Sequence, residues 1–287
     1  MTYVVHGATG AQGAPVLSAL LAAGKKVAAA VRNPANLPEG ETAVVVDNAD
    51  VASLTTAYRG AEGVFVHLPM GDAAQQLVFT HAIAEAIDQV RPDRVVISTS
   101  GQVVDDPASP LQAPADSPIA TLVREVEKTG VSSAVVAPRL YLENLLLPVV
   151  AGPAHEENVL RYPLPTGFPV SWSSHLDVAD VAVRLLTDTS VTGTVAVGHR
   201  PGLTGEDLAA GFTAHLGRDV RYRAITPERF GQLITPLFGS DASAPVVGLY
   251  QALNTRTDHT IREDNSAQKL LGLEPRTAQE WLAQVRA

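Results

Sequence analysis

The 287-residue chain contains no cysteine. That excludes disulfides, thiol nucleophiles and thiolate metal sites together, and it leaves no mark of an oxidising compartment. No apolar run approaches the ~18 residues needed to cross a bilayer. The chain begins directly on a strand-like run, Tyr3-Val4-Val5, without a basic stretch ahead of a long apolar one, which argues against a signal peptide. A cytoplasmic protein with no membrane partner is expected. The eight histidines are scattered, with no H-E-x-x-H and no close pair, so no metal site is expected. His155-Glu156-Glu157 reads as a solvated loop. The G-x-S-x-G elbow of α/β-hydrolases is missing, and so is the G-x-x-x-x-G-K-[ST] loop of P-loop proteins.

What is present is 46% hydrophobic, enough for one large α/β domain or one plus a small partner. The formal net charge of -9 repels phosphate backbones, so no nucleic-acid partner is expected. The charge is uneven, however. Met1 to Pro38 holds no Asp or Glu but does hold Lys25, Lys26 and Arg32. This is either a basic patch for a small phosphorylated ligand or an accident of an Ala-rich stretch.

Strand and helix patterns alternate through the first half. Short apolar runs lie at Tyr3 to His6, Lys26 to Val31, Ala43 to Asp47, Gly63 to Leu68, Arg94 to Thr99 and Val131 to Ala137. Helical patterns separate them at Ala14 to Ala23, Asp50 to Tyr58, Ala73 to Val90 and Ile119 to Thr129. Continuous apolar strands suit a parallel sheet covered on both faces, and the βαβα order predicts an α/β doubly wound sheet, the Rossmann fold. The second half predicts a smaller, mostly helical substrate region. Its signals are an amphipathic Asp177 to Thr187, helical stretches at Leu233 to Leu253 and Asn265 to Leu271, a strand at Thr194 to Val197, and capping-box spacings at Thr204 and Thr277. We place the division at 1–150 and 151–287, with the second part interleaved with the first. Asp105 to Pro118 carries four prolines and must be a loop, long enough for a lid.

Gly7-Ala-Thr-Gly10-Ala-Gln-Gly13 falls between the first strand and the first helix. There, glycines permit a tight turn, close approach of backbone to a pyrophosphate, and tight helix–strand packing. The helix N-terminus adds free N–H groups and a positive dipole end. The spacing is G-x-x-G-x-x-G rather than G-x-G-x-x-G. NAD sites tend to place an acid about 20 residues later, on the ribose 2′-hydroxyl. No acid occurs between Gly13 and Arg32, and the second strand ends at Val31-Arg32-Asn33. A guanidinium there can grip a 2′-phosphate, which points to NADP(H); a solvated surface arginine is the plainer reading. Asp47 and Asn48 end the third strand, and either meet an adenine ring or turn the chain toward the next helix. His67-Leu68-Pro69-Met70 and Ser98-Thr99-Ser100-Gly101 end the fourth and fifth strands, at the edge where such folds bind ligands. His67 is an acid, a substrate contact or a structural histidine.

The segments GATGAQG, VRNP, DNADVASLTTAYRGAEGVFVHLP and APRLYLENL together resemble the NmrA-like family of atypical short-chain dehydrogenases. The resemblance is strongest over the first ~150 residues. HLDVADVA and LTGEDLAAGFTAHLGRDVRY follow the family less closely. Members bind NADP(H) or NAD(H). Some, similar to quinone oxidoreductases and triphenylmethane reductases, reduce small electrophiles; others sense the cofactor and catalyse nothing known. The resemblance implies that Gly7, Thr9, Gly10, Gln12 and Gly13 hold the pyrophosphate, Arg32 the 2′-phosphate, and Asp47 with Asn48 the adenine. It places Leu68 and Pro69 on the ribose, counts Ser100 and Pro138 among the cofactor contacts, and puts Met70, Tyr141 and Asn144 on the substrate side. Tyr141 and Asn144 serve core packing equally well.

The departure from the wider family is chemical. Typical short-chain dehydrogenases use Tyr-x-x-x-Lys, in which the lysine acidifies the tyrosine. From Gly101 to Arg139 this chain has no tyrosine, and its only lysine is Lys128, at the far end of the helix. Epimerase and dehydratase chemistry is thereby disfavoured. Hydride transfer to a quinone, an enone or a cationic dye needs no such acid, because solvent protonates the product. The expectation is an NADPH-dependent oxidoreductase acting on a small electrophilic molecule, with a non-catalytic NADP(H) sensor as the alternative.

Overall fold

The computed structural model describes residues 2–38, 40–69 and 71–285. Among them the strands are β1 (Thr2–His6), β2 (Val27–Val31), β3 (Ala43–Val45), β4 (Ala61–His67), β5 (Arg94–Ser98), β6 (Ser133–Pro138), β7 (Leu140–Tyr141), β8 (Val159–Tyr162), β9 (Trp172–Ser173), β10 (Gly193–Val197) and β11 (Arg221–Ala224). The α-helices are α1 (Gly13–Ala22), α2 (Val51–Tyr58), α3 (Ala73–Val90), α4 (Pro118–Thr129), α5 (Pro148–Glu156), α6 (His175–Thr187), α7 (Gly205–Leu216), α8 (Pro227–Phe238), α9 (Ser240–Asn254), α10 (Ala267–Leu271) and α11 (Ala278–Gln284).

Seven strands form one sheet in the order β10-β6-β5-β4-β1-β2-β3, and every pairing is parallel. This is the predicted doubly wound architecture. The chain winds outward from β1 through β2 to β3, then returns to β4 on the other side of β1. The direction of winding therefore reverses between β1 and β4, and ligands of open α/β sheets bind at the carboxyl side of such a reversal. The apolar runs become the buried centre: Val5, Val64, Phe65, Val66 and Val96 are fully enclosed.

Helix α4 shows how the sequence builds a cover for this sheet. Ser117 caps it by accepting from the Ala120 N–H at 3.3 Å, and Pro118 follows in the first turn, where no N–H is missed. Ile119, Leu122 and Val126 recur at helical spacing and are buried. Each such side chain contributes about 1.5–3 kcal/mol by leaving water.

The chain divides into two compact units and passes between them more than once. One comprises Met1–Pro138, His175–Val197 and Asp264–Leu273; the other comprises Arg139–Ser174, Gly198–Glu263 and Glu274–Ala287. The second unit holds two small parallel sheets, β8 with β11 and β7 with β9. The capping boxes at Thr204 and Thr277 are both formed. The stretch expected as one helix from Leu233 to Leu253 is instead two, α8 and α9, because Gly239 between them adopts φ +82. The proline-rich stretch is irregular, with a single bridge between Val103 and Gln112. No described helix is long and apolar enough to cross a membrane.

Candidate functional site

The chain leaves β1 at His6 and turns at once. Gly7 lies in the left-handed region at φ +60. Its carbonyl accepts from the Gly10 N–H at 2.7 Å, and Gly10 in turn accepts from the Ala14 N–H at 3.0 Å. The loop is so tight that a Cβ on Gly7 would lie 2.1 Å from His67 Nε2, and one on Gly13 would lie 2.2 Å from the Gly7 carbonyl oxygen. Gly10 is freer, its nearest contact being 3.2 Å.

Helix α1 starts here without a side-chain cap, and no acid stands in its first turn. By contrast Asp50, Asp72 and Ser117 cap α2, α3 and α4. The reason lies in Gln12, the residue before α1, whose amide is turned toward the end of β5. Its Nε2 donates to Ser100 Oγ at 3.0 Å, and its Oε1 accepts from Ser98 Oγ at 2.8 Å. The leading N–H groups of α1 thus keep their positive field for an anion.

His67 ends β4 and roofs Gly7. Its Nε2 is buried and meets no hydrogen-bond partner among the described residues. Burial holds the imidazole below its ordinary pKa, partly offset by a hydrogen bond with the Leu68 backbone. Two further histidines lie within its electrostatic reach. Burial lowers His6 to about 3 and His175 to about 4, and His67 contributes to both shifts. His6 Nε2 pairs with the Tyr58 hydroxyl at 2.6 Å. At neutral pH all three rings are uncharged hydrogen-bonding groups, not stored protons. A glycine cradle with no room for a Cβ, an uncapped helix end and an unpartnered buried nitrogen fit a nucleotide pyrophosphate and its neighbouring sugars.

These histidines make stability depend on pH. The folded values of His6 and His175 lie below the ordinary 6.5, so between those values the unfolded chain binds protons that the native state refuses. Stability present above pH ~6.5 is lost as pH falls, by about 1.4 kcal/mol per pH unit for each ring. Chemical denaturation at pH 7.5 and pH 5 should show a loss of about 2 kcal/mol per histidine. His6→Gln should flatten its share of that slope, and a wild-type stability that does not change would contradict the burial argument.

The other expected positions are distributed as follows. Arg32 is exposed directly after β2. Lys25 and Lys26 precede the same strand, so five strand residues separate them from Arg32. The single basic patch read from the sequence is therefore split between opposite edges of the sheet. Asp47 is built into a turn: its carboxylate accepts from the Ala49 N–H at 2.9 Å, and its own N–H donates to Ser53 Oγ at 3.1 Å. Asn48 neighbours His6 and offsets a little of its shift. Leu68 is buried, and the Pro69 carbonyl accepts from Gln76 Nε2 at 2.8 Å. Met70 lies outside the described residues. Thr9 is exposed on the loop. Ser100 takes φ +54 beside Gln12. Pro138 ends β6 opposite Val197. The glycine loop, Arg32, the Asp47 turn, Leu68, Ser100 and Pro138 thus lie at the carboxyl ends of neighbouring strands in one sheet.

Tyr141 and Asn144 belong to the second unit. Tyr141 is half-buried in β7, in register with Ser173. Asn144 hydrogen-bonds Tyr162, whose acidity is strongly suppressed by burial and by Tyr250. Tyr162 sits among Trp172, Phe230 and Tyr250, with ring centroids 5.4–5.7 Å apart. Asn144 thus borders an aromatic cluster. In the first unit the tyrosines are Tyr3 and Tyr58, and burial raises the pKa of both. Neither is an acidified proton donor. Sequence reading missed His6 as a neighbour of the loop, and it placed Ser98 at the edge of the sheet without its pairing to Gln12. Gln12 and Ser98 stand 86 residues apart, and no local pattern announces such a pairing.

The model of the NmrA-like family matches residues 1–282. The chain belongs to the NmrA-like family. The match extends well past the first half, where the sequence resemblance was strongest. An NAD(P)H azoreductase from Xenophilus azovorans is 29% identical over 289 residues, covering 97% of this chain and 96% of that protein. The triphenylmethane reductase of Citrobacter sp., solved with NADP(H), superposes with a TM-score of 0.80 at 17% identity, covering 99% of this chain and all of that one. An NADPH-dependent quinone oxidoreductase from Escherichia coli, solved with NADPH, gives 0.74 at 20% identity, with 99% of each chain covered.

Proposed function

We propose that this NmrA-like protein is an NADPH-dependent oxidoreductase that reduces a small, conjugated, electrophilic organic molecule such as a quinone or an enone. The observation that carries the reading is the uncapped end of α1 over a loop where neither Gly7 nor Gly13 admits a Cβ. The azoreductase relative supports the reaction class and adds azo compounds to the acceptors worth testing. In this reading Gly7, Thr9, Gly10, Gln12 and Gly13 hold the pyrophosphate, Arg32 the 2′-phosphate, and Asp47 with Asn48 the adenine. Leu68 and Pro69 line the ribose, Ser100 and Pro138 complete the cofactor contacts, and Met70, Tyr141 and Asn144 face the substrate. The division of labour broadly follows the chain: nucleotide binding lies in 1–150, which also supplies these three substrate contacts, and 151–287 forms the rest of the smaller, interleaved substrate region. Bound NADPH supplies the hydride. The protein's part is to orient the acceptor and exclude water, with solvent protonating the product.

Arg32 is exposed and forms no ion pair among the described residues, so its guanidinium is available to a phosphate. Calorimetric titration should show NADPH binding at least tenfold tighter than NADH, about 1.4 kcal/mol, with most of that preference erased in Arg32→Ala. Oxidation of NADPH, followed by absorbance with quinone, enone and azo acceptors, then tests turnover. Tight binding with no turnover on any acceptor would favour the cofactor sensor, which the missing Tyr/Lys pair allows. Absence of binding by either nucleotide would sink both readings.

A further inference from the structure

The second unit contains a cavity of about 590 Å³ whose lining, among the described residues, includes Arg161, Arg223 and Arg229 and no Asp or Glu. Every lining residue belongs to that unit, so none is shared with the glycine loop. Volumes of roughly 300–1,000 Å³ are typical of small-molecule sites.

The arginines are placed against their own electrostatics. Arg161 on β8 and Arg223 on β11 are direct partners in the parallel ladder. They therefore project from the same face of adjacent strands, roughly 5 Å apart at the backbone, where like charges repel. Arg229 stands in the first turn of α8, the end of a helix that disfavours a cation. Thr226 already caps that turn, accepting from the Arg229 N–H at 3.1 Å, so the helix end itself is not the attraction. Two carboxylates stand nearby. Glu157 takes both terminal nitrogens of Arg161, and that hydrogen bonding, with the charges of Arg161 and Arg223, holds its carboxyl below the ordinary range. Glu228 accepts instead from Gln251 at 2.7 Å. Arg223 and Arg229 form no ion pair among the described residues; Arg229 donates only to the neutral Gln232, at 3.0 Å. In a chain of net charge -9, this cavity concentrates the opposite sign. Between the arginines the wall is apolar, with Val149, Ile225 and Leu233.

From this geometry we infer that the cavity is a ligand site for an organic anion, an apolar body carrying a sulfonate, carboxylate or phosphate head. The head meets Arg223 and Arg229, whose charges no carboxylate pairs among the described residues. The body lies on Val149, Ile225 and Leu233. The site is independent of the nucleotide reading, and its test needs no nucleotide.

The test is a fluorescence titration of the full nucleotide-free chain with anilinonaphthalene sulfonate, an aromatic sulfonate, and with uncharged phenylnaphthylamine. The wild type should bind the sulfonate saturably at one site. The double variant Arg223→Gln/Arg229→Gln should bind it at least tenfold more weakly. Arg184→Gln/Arg221→Gln removes the same charge from exposed positions outside the cavity and should bind as the wild type does. The uncharged probe should not distinguish the three proteins. Substitution of exposed arginines leaves the core intact, and melting curves verify it. Equal sulfonate binding in both double variants, or none in the wild type, overturns the inference.

Discussion

Gly13→Ala is expected to weaken NADPH binding at least a hundredfold, about 2.7 kcal/mol. The new Cβ would lie 2.2 Å from the Gly7 carbonyl oxygen, 2.4 Å from its carbon and 2.6 Å from the His6 carbonyl oxygen. All three are backbone atoms of the loop, so no side chain can rotate away. The loop must move by roughly 1 Å to restore ordinary contact, and the N–H groups that would cradle the pyrophosphate move with it. Gly7→Ala differs in kind, because its obstacle is the His67 ring. Gly7→Ala should therefore be partly rescued by His67→Ala, leaving the residual cost of an alanine in the left-handed region, about 1–2 kcal/mol. Titration calorimetry with circular dichroism as the folding control separates lost binding from lost structure. Gly13→Ala binding within threefold of the wild type would show that the loop is only a turn.

The largest effect on stability is expected at Arg94, which is 1% exposed at the start of β5. Its Nε donates to the Leu185 carbonyl and its Nη1 to Ser132 Oγ, each at 2.8 Å. Its Nη2 donates to the Val191 carbonyl. One guanidinium thus joins β5 to the segment before β6, to α6 and to the chain that follows α6. Burial lowers its pKa, and the charge of Asp188 opposes that. Arg94→Met keeps much of the apolar stem but strands two carbonyls and a hydroxyl. We expect a loss of about 3–5 kcal/mol and a fall in Tm of roughly 10 °C, read by chemical and thermal denaturation. Arg94→Lys should recover only part, since an ammonium cannot reproduce the planar fork. Arg94 stands at the amino end of its strand, opposite the glycine loop, so NADPH affinity per folded molecule should not change. A variant as stable as the wild type would mean that the fork is replaceable by water.

The architecture was readable because its signals are local. Apolar runs of strand length, helix caps at Thr204 and Thr277, and glycines at a strand–helix turn each act over a few residues, where propensity and periodicity decide. The break at Gly239 was missed because apolar periodicity runs across it. The glycine loop's position was equally legible, but its tightness was not. That Gly7 is closed by His67 follows from β4 lying beside β1, a pairing of residues some 60 positions apart. The apparent basic patch of Lys25, Lys26 and Arg32 was dissolved by the same geometry, since an extended strand carries its two ends apart.

The sequence by itself determined the fold class, the glycine loop, the missing Tyr/Lys acid and the family, because each rests on residue type and near-neighbour spacing. Only the tertiary structure decided which distant side chains meet. It turned Gln12 toward Ser98 and Ser100, closed Gly7 with the His67 ring, joined Asn144 to Tyr162 by a hydrogen bond, and gathered Arg161, Arg223 and Arg229 around one cavity. Each of these depends on strand order and packing between distant segments, which no local pattern encodes.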